Sequence, residues 1–69
     1  VTVGDFVTIG AGAIINDRVT VKDGAFIGSG VVIVAGVEIG KNARIGAGSV
    51  VVSSVPAKST YFGNPAQKV

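Results

Sequence analysis

The stretch 3-VGDFVTIGAGAIINDRVT-20 divides into three six-residue phrases, VGDFVT, IGAGAI and INDRVT, each opening on Val or Ile. The phrasing continues without insertion as VKDGAF, IGSGVV, IVAGVE, IGKNAR, IGAGSV and VVSSVP, so one register runs from Val3 to Pro56. Val and Ile supply 21 of the 69 residues. Finding them at all nine first positions would happen by chance roughly once in 10⁴ sequences, even with six registers to choose from.

The fifth position is as regular: Val7, Ala13, Val19, Ala25, Val31, Val37, Ala43, Ser49 and Val55 are compact and uncharged. Two inward positions in every six, separated by Gly, Asp, Asn or Lys, describe short strands broken by tight bends. A helix needs apolar residues at intervals of three and four and tolerates far less glycine. Gly occupies the second position of five hexads, where the bend requires positive φ or a close backbone approach.

A six-residue period is that of a parallel β-helix. Three hexads close one triangular coil, giving coils 3–20, 21–38 and 39–56, stacked about 4.8 Å apart. First positions then align as ladders: Val3 with Val21 and Ile39, Ile9 with Ile27 and Ile45, Ile15 with Ile33 and Val51. The expected fold is all-β: a parallel β-helix of three triangular coils over residues 1–56 and a capping tail over 57–69. In that tail Tyr61 and Phe62 close the upper edge while Gly63-Asn64-Pro65-Ala66 reverses the chain.

The totals agree with this reading. A chain of 69 residues seldom builds a sufficient core without a staple or a repeat. With no Cys and no His, neither disulfides nor a Cys/His metal site can be made. At 48% hydrophobic and 14% charged the composition is too apolar for disorder, and Gly, Asp and Lys interrupt it too often for a membrane span. The N-terminal residues lack a signal-peptide layout, so a cytoplasmic location is expected. Net charge is +2, and Arg18, Lys22, Lys41, Arg44, Lys58 and Lys68 are scattered, whereas nucleic-acid binding needs a basic stripe with aromatics. IGAGAI, IGSGVV and IGAGSV fail G-x-G-x-x-G at its last position, and no phosphate-loop motif occurs. Asp17 and Asp23, at third positions, read as bend residues rather than general bases.

The stretch 24-GAFIGSGVVIVAGVEIGKNARIGAGSVV-51, followed by Val55-Pro56 and 63-GNPA-66, resembles the hexapeptide-repeat acyltransferases, whose β-helix winds left-handed against the usual crossover preference. Within that family it is most similar to bacterial sugar O- and N-acetyltransferases of the sialic-acid O-acetyltransferase type. The resemblance spans essentially the whole chain. The hexads specify only the architecture, while IGKNARIGAGSVV with VP and GNPA is more specific to acetyl-CoA-dependent members. It implies acetyl-CoA as acyl donor, a sugar or nucleotide-sugar acceptor, and a homotrimer. Seven outward apolar residues, Phe6, Ile14, Phe26, Val32, Val34, Val50 and Val52, fit such an assembly.

Relatives are understood to use a His as base, and this chain has none. The resemblance therefore implies the C-terminal part of a longer enzyme, without its catalytic coil, and assigns no catalytic residue here. It also implies cofactor contacts at Gly28, Ser29, Gly30, Gly46, Ala47 and Gly48, where small residues let a pantetheine arm lie along the coil corners. Asn64, Pro65, Ala66 and Lys68 join them near the adenine and phosphate end. Bends alone are the competing reading of those glycines, and capping alone that of the tail. Two other readings of the chain stand beside this one: a non-catalytic trimerising scaffold, or part of a lipid A-type N-acyltransferase. A γ-class carbonic anhydrase is excluded by the lack of His ligands.

Overall fold

The computed structural model describes residues 1–69 and contains eleven strands and no helix. Nine two-residue strands come first: β1 (Thr2–Val3), β2 (Thr8–Ile9), β3 (Ile14–Ile15), β4 (Thr20–Val21), β5 (Phe26–Ile27), β6 (Val32–Ile33), β7 (Glu38–Ile39), β8 (Arg44–Ile45) and β9 (Val50–Val51). Each covers the sixth position of one hexad and the first of the next. Two longer strands follow, β10 (Thr60–Gly63) and β11 (Ala66–Lys68).

Pairing is parallel and offset by one coil, which builds three faces: β1-β4-β7, then β2-β5-β8 continued by β10 and β11, then β3-β6-β9. All three expected ladders form, with Val3↔Val21↔Ile39, Ile9↔Ile27↔Ile45 and Ile15↔Ile33↔Val51 in register. First and fifth positions point inward because successive residues of a strand alternate sides, and they make up most of the buried core, with Ile27, Ile33, Ile39 and Ile45 fully buried. In the first coil Val3 and Ile9 are 45% and 42% exposed.

The glycines divide the backbone requirement between two positions. Positive φ falls at the fourth position of the hexads, at Phe6, Gly12, Arg18, Gly24, Gly30, Gly36, Asn42 and Gly48. At the second position the need is close approach: a Cβ on Gly28 would stand 2.6 Å from the Ala47 backbone nitrogen, and one on Gly10 2.5 Å from that of Ser29. Of the two requirements expected at the second position, only the close approach applies there.

The six-residue register ends two residues before Pro56. Val55 bridges to Ile39, not to the level of Val37, so the corner at Ser53–Ser54 is two residues short. The ladder bond that Glu38 N–H would have made is lost, and Ser54 Oγ accepts that N–H instead, at 3.1 Å. Winding then resumes with 55-VPAKST-60 as a further hexad: Lys58 takes the fourth-position positive φ, and Tyr61 pairs with Ile45. Pro56 lies in the last layer, where no carbonyl above it asks for an N–H. Beyond it β10 and β11 form an antiparallel hairpin, Gly63↔Ala66, through a cis Asn64–Pro65 bond. Tyr61 packs against the core, whereas Phe62 stays exposed and lies across Gly46.

Gly28→Ala and Gly36→Ala separate the two requirements. The first forces a methyl into backbone and should cost about 1–3 kcal/mol or more. The second has open space but φ +81 and should cost about 1 kcal/mol. Thermal unfolding of both variants measures the difference, with Gly28→Ala the lower-melting.

Candidate functional site

The prism has three edges, and their side chains differ. The edge between the β1 and β2 faces carries Asp5–Phe6, Asp23–Gly24 and Lys41–Asn42; the edge between the β3 and β1 faces carries Asp17–Arg18, Ala35–Gly36 and Ser53–Ser54. The edge between the β2 and β3 faces is Ala11–Gly12, Ser29–Gly30 and Ala47–Gly48, with nothing larger than a Ser side chain.

Six of the residues singled out from the sequence, Gly28, Ser29, Gly30, Gly46, Ala47 and Gly48, therefore stack as two successive turns of that single edge. Gly30 N–H bonds to Ala11 C=O and Gly48 N–H to Ser29 C=O, each at 2.9 Å, which locks the turns vertically. The N–H groups of Ser29 and Ala47 find no acceptor within the chain, and both residues are exposed. Gly30 and Gly48 have nothing within 4 Å of where a Cβ would stand. The result is a strip of bare backbone with free donors one coil apart, about 4.8 Å. Such a strip can accept an extended chain bearing amide carbonyls without displacing any side chain. Gly28 and Gly46 act beneath it: Gly28 is buried under Ala47, and Gly46 lies against the Phe62 ring.

The tail turn is fastened to this edge by one buried hydroxyl. Ser49 Oγ donates to Gly46 C=O at 2.7 Å and accepts Gly63 N–H at 3.1 Å. As a fifth-position residue Ser49 reads from the sequence as one more small core group. The signal available was that it is the single polar residue in that column. Asn64 and Pro65 are exposed in the turn above the edge. Ala66 is turned inward, 7% exposed, and belongs to the core. Lys68 is exposed but pairs with Tyr61 at the far end of the hairpin, so it does not join the turn.

Asp23 supports a bend, its Oδ1 accepting Asp5 N–H at 2.7 Å. A depression of about 260 Å³ lies away from the small-residue edge, on the β1 face, bordered by Thr20, Val21 and Lys22 and by Asp23 and Lys41 of the adjoining edge. A ligand extended along an edge needs no enclosed volume, so the bare edge carries the candidate site and the depression is a separate feature. No group of three His, Cys, Asp or Glu side chains could hold a metal. No helix is long and apolar enough to cross a membrane.

The family model described as "Bacterial transferase hexapeptide (six repeats)" matches residues 1–35 and 18–53, and the chain belongs to that family. Perosamine N-acetyltransferase PerB from Caulobacter crescentus, solved with CoA and GDP-perosamine, superposes with a TM-score of 0.96 at 33% identity over 97% of this chain and 32% of its own. The acetyltransferase domain of PglB from Neisseria gonorrhoeae, solved with acetyl coenzyme A, gives 0.95 at 30% identity over 97% of this chain and 33% of that one. WeeI from Acinetobacter baumannii gives 0.92 at 40% identity over 99% and 37%. The prism is thus the left-handed β-helix of such enzymes, and the chain spans about a third of the length of these structures. No curated protein matches by sequence.

Replacing Ser49 by Ala should release the tail turn at a cost of about 1–2 kcal/mol, through the unsatisfied groups it leaves. Hydrogen exchange at the Gly63 amide should accelerate while the Gly48 amide, bonded to Ser29, stays protected.

Proposed function

We propose that this chain is the C-terminal β-helix portion of an acetyl-CoA-dependent sugar acetyltransferase and that it holds the acyl donor. The observation that carries the reading is the bare edge at Ser29 and Ala47, with its two free N–H groups and the tail turn fastened above it by Ser49. A pantetheine arm is an extended chain with two amide carbonyls, so it matches free donors set one coil apart. Gly30 and Gly48 keep the edge open for it, and Asn64 and Pro65 border its upper end. When bound, acetyl-CoA supplies an activated thioester acyl group.

Support comes also from the relatives solved with CoA or acetyl coenzyme A, one of them with GDP-perosamine as well. On that likeness the acceptor is a sugar or nucleotide-sugar. The family resemblance of the sequence adds a homotrimer to the proposal, and the reading of its N-terminal residues a cytoplasmic location. Acyl transfer to a hydroxyl or amine needs a base for the acceptor's proton. The chain has no His, so on this reading its residues bind and orient the donor and do not take that proton. Lys68, at the far end of the hairpin, is available to phosphate groups only beyond the turn.

Titration calorimetry with acetyl-CoA tests the reading. The chain should bind, and Ala47→Leu, which drops a side chain onto the strip, should weaken binding at least about tenfold, or about 1.4 kcal/mol. An equivalent change off the edge, Val52→Leu, should leave it unaltered. Absence of binding by the unaltered chain would leave a trimerising scaffold as its role.

A further inference from the structure

The depression of about 260 Å³ on the β1 face is the chain's single one, and the donor edge makes no use of it. Its two sides are built by different columns of the coil. Thr2 and Thr20 stand in register on one side, with Glu38 next above them. On the other, Lys22 leaves the face one coil above Gly4, and Asp23 and Lys41 stand on the adjoining edge. Between them the floor is Gly4 and the inward-turned Val21. Gly4 is required there, since a Cβ on it would stand 2.8 Å from the Asp23 backbone nitrogen.

Most polar groups around this floor have no partner in the chain. The Thr2 and Thr20 hydroxyls take part in none of its side-chain hydrogen bonds. Lys41 joins no ion pair, because the one that exists links Lys22 and Glu38 at 3.4 Å. Asp23 commits Oδ1 to the Asp5 N–H at 2.7 Å and keeps Oδ2 free to accept. The Asp23 N–H finds no acceptor.

Charge decides what such a site can select. Lys22 and Lys41 are balanced by Asp23 and Glu38, so an anion that gains two ammonium groups also meets two carboxylates, and a cation fares no better. The match is a neutral molecule whose polar groups both donate and accept, since the site offers ammonium donors, a carboxylate acceptor and two hydroxyls that do either. Its body must also suit the threonine methyls and lysine stems, which present apolar surface below their polar tips. A sugar ring has both properties, with hydroxyls around its rim and C–H bonds on its faces. Size agrees: a cavity of about 150 Å³ holds benzene, and this one has room for a six-membered ring with its hydroxyls.

We infer that the β1 depression is a binding site for a neutral pyranose unit. Its hydroxyls donate to Asp23 Oδ2, accept from Lys22 and Lys41 Nζ, and exchange bonds with Thr2 and Thr20, while a C–H face lies toward Gly4. In a triangular prism the β1 face is the one opposite the Ser29 and Ala47 edge. A sugar held there does not meet an acyl donor on the same chain, so the depression holds a glycan unit rather than presenting the acceptor. The inference is independent of the donor role proposed above.

Nuclear magnetic resonance of the ¹⁵N-labelled chain tests it, with methyl α-D-glucopyranoside and N-acetylglucosamine as probes. At least one should give saturable shifts at the Thr20, Lys22 and Asp23 amides, with a dissociation constant of roughly 1–10 mM, in the range of a small exposed site. Thr20→Val and Lys41→Met keep the carbon bulk and remove one polar group each. Either should raise that constant about fivefold, the size of one lost hydrogen bond. Glycerol and glucose 1-phosphate are the controls: equal response to glycerol means that any polyol suffices, and tighter binding of the phosphate means an anion site, and each overturns the inference. So do the absence of saturable shifts, shifts centred on Ser29 and Ala47, or silence of both substitutions. Acetyl-CoA calorimetry on the same samples reads the donor role separately. Binding of acetyl-CoA without the sugar refutes this site alone, and binding of the sugar without acetyl-CoA refutes the donor role alone.

Discussion

Every coil of this protein is held to the next by backbone bonds that skip one circuit, such as Thr20 N–H to Val37 C=O and Phe26 N–H to Ala43 C=O. Almost nothing else could hold it, since its first nine strands are two residues long and isolated strands of that size have no stability in water. The ladder requires coils to approach closely all the way round. That is why Gly stands at Gly10, Gly28 and Gly40, where a Cβ would strike the backbone of the coil above. The inward ladders of Val and Ile then fill the narrow space that this approach leaves.

The same constraint shapes the candidate site. An edge that must turn tightly at each level can do so with left-handed residues, and Gly is the least costly of these. Where Gly alternates with Ala and Ser, the turning requirement also clears the edge of side chains and leaves N–H groups pointing outward. The free donors at Ser29 and Ala47 are thus a by-product of coil geometry, and what distinguishes this edge from the other two is the absence of anything covering it. Its sister edges spend their positions differently: Asp23 covers the Asp5 N–H, and Phe6, Arg18 and Asn42 accept positive φ with full side chains.

The upper end shows how the repeat stops. The shortened corner at Ser53–Ser54 displaces the chain by two residues, so Val55 and Tyr61 still land on the Ile39 and Ile45 ladders while β11 folds back on β10. Ser54 and Ser49 supply the hydrogen bonds that the regular ladder no longer makes, one to Glu38 and one to Gly63. The exposed apolar residues are distributed unevenly: Ile14 and Val52 are 55% and 51% exposed on or beside the β3 face, while Phe6, Phe26 and Phe62 project on or beside the β2 face.

The winding was legible in the residue string because side-chain direction is a local property: a first-position Val or Ile points inward whatever lies above it, and the three ladders follow from counting. The two-residue slip was not legible, since Val51 and Val55 suit either register and only the pairing of Val55 with Ile39 distinguishes them. Nor could counting assign positive φ to the fourth position, where Phe6 and Arg18 stand beside Gly, or tell that Ala66 turns inward and Lys68 lies away from the turn. The sequence by itself determined the period, the ladders and the small-residue corners. Tertiary structure decided which corners share an edge, which N–H groups go without a partner, and which face has a depression and which a projecting ring. These depend on groups eighteen residues apart meeting across coils, a relation that no single stretch of chain contains.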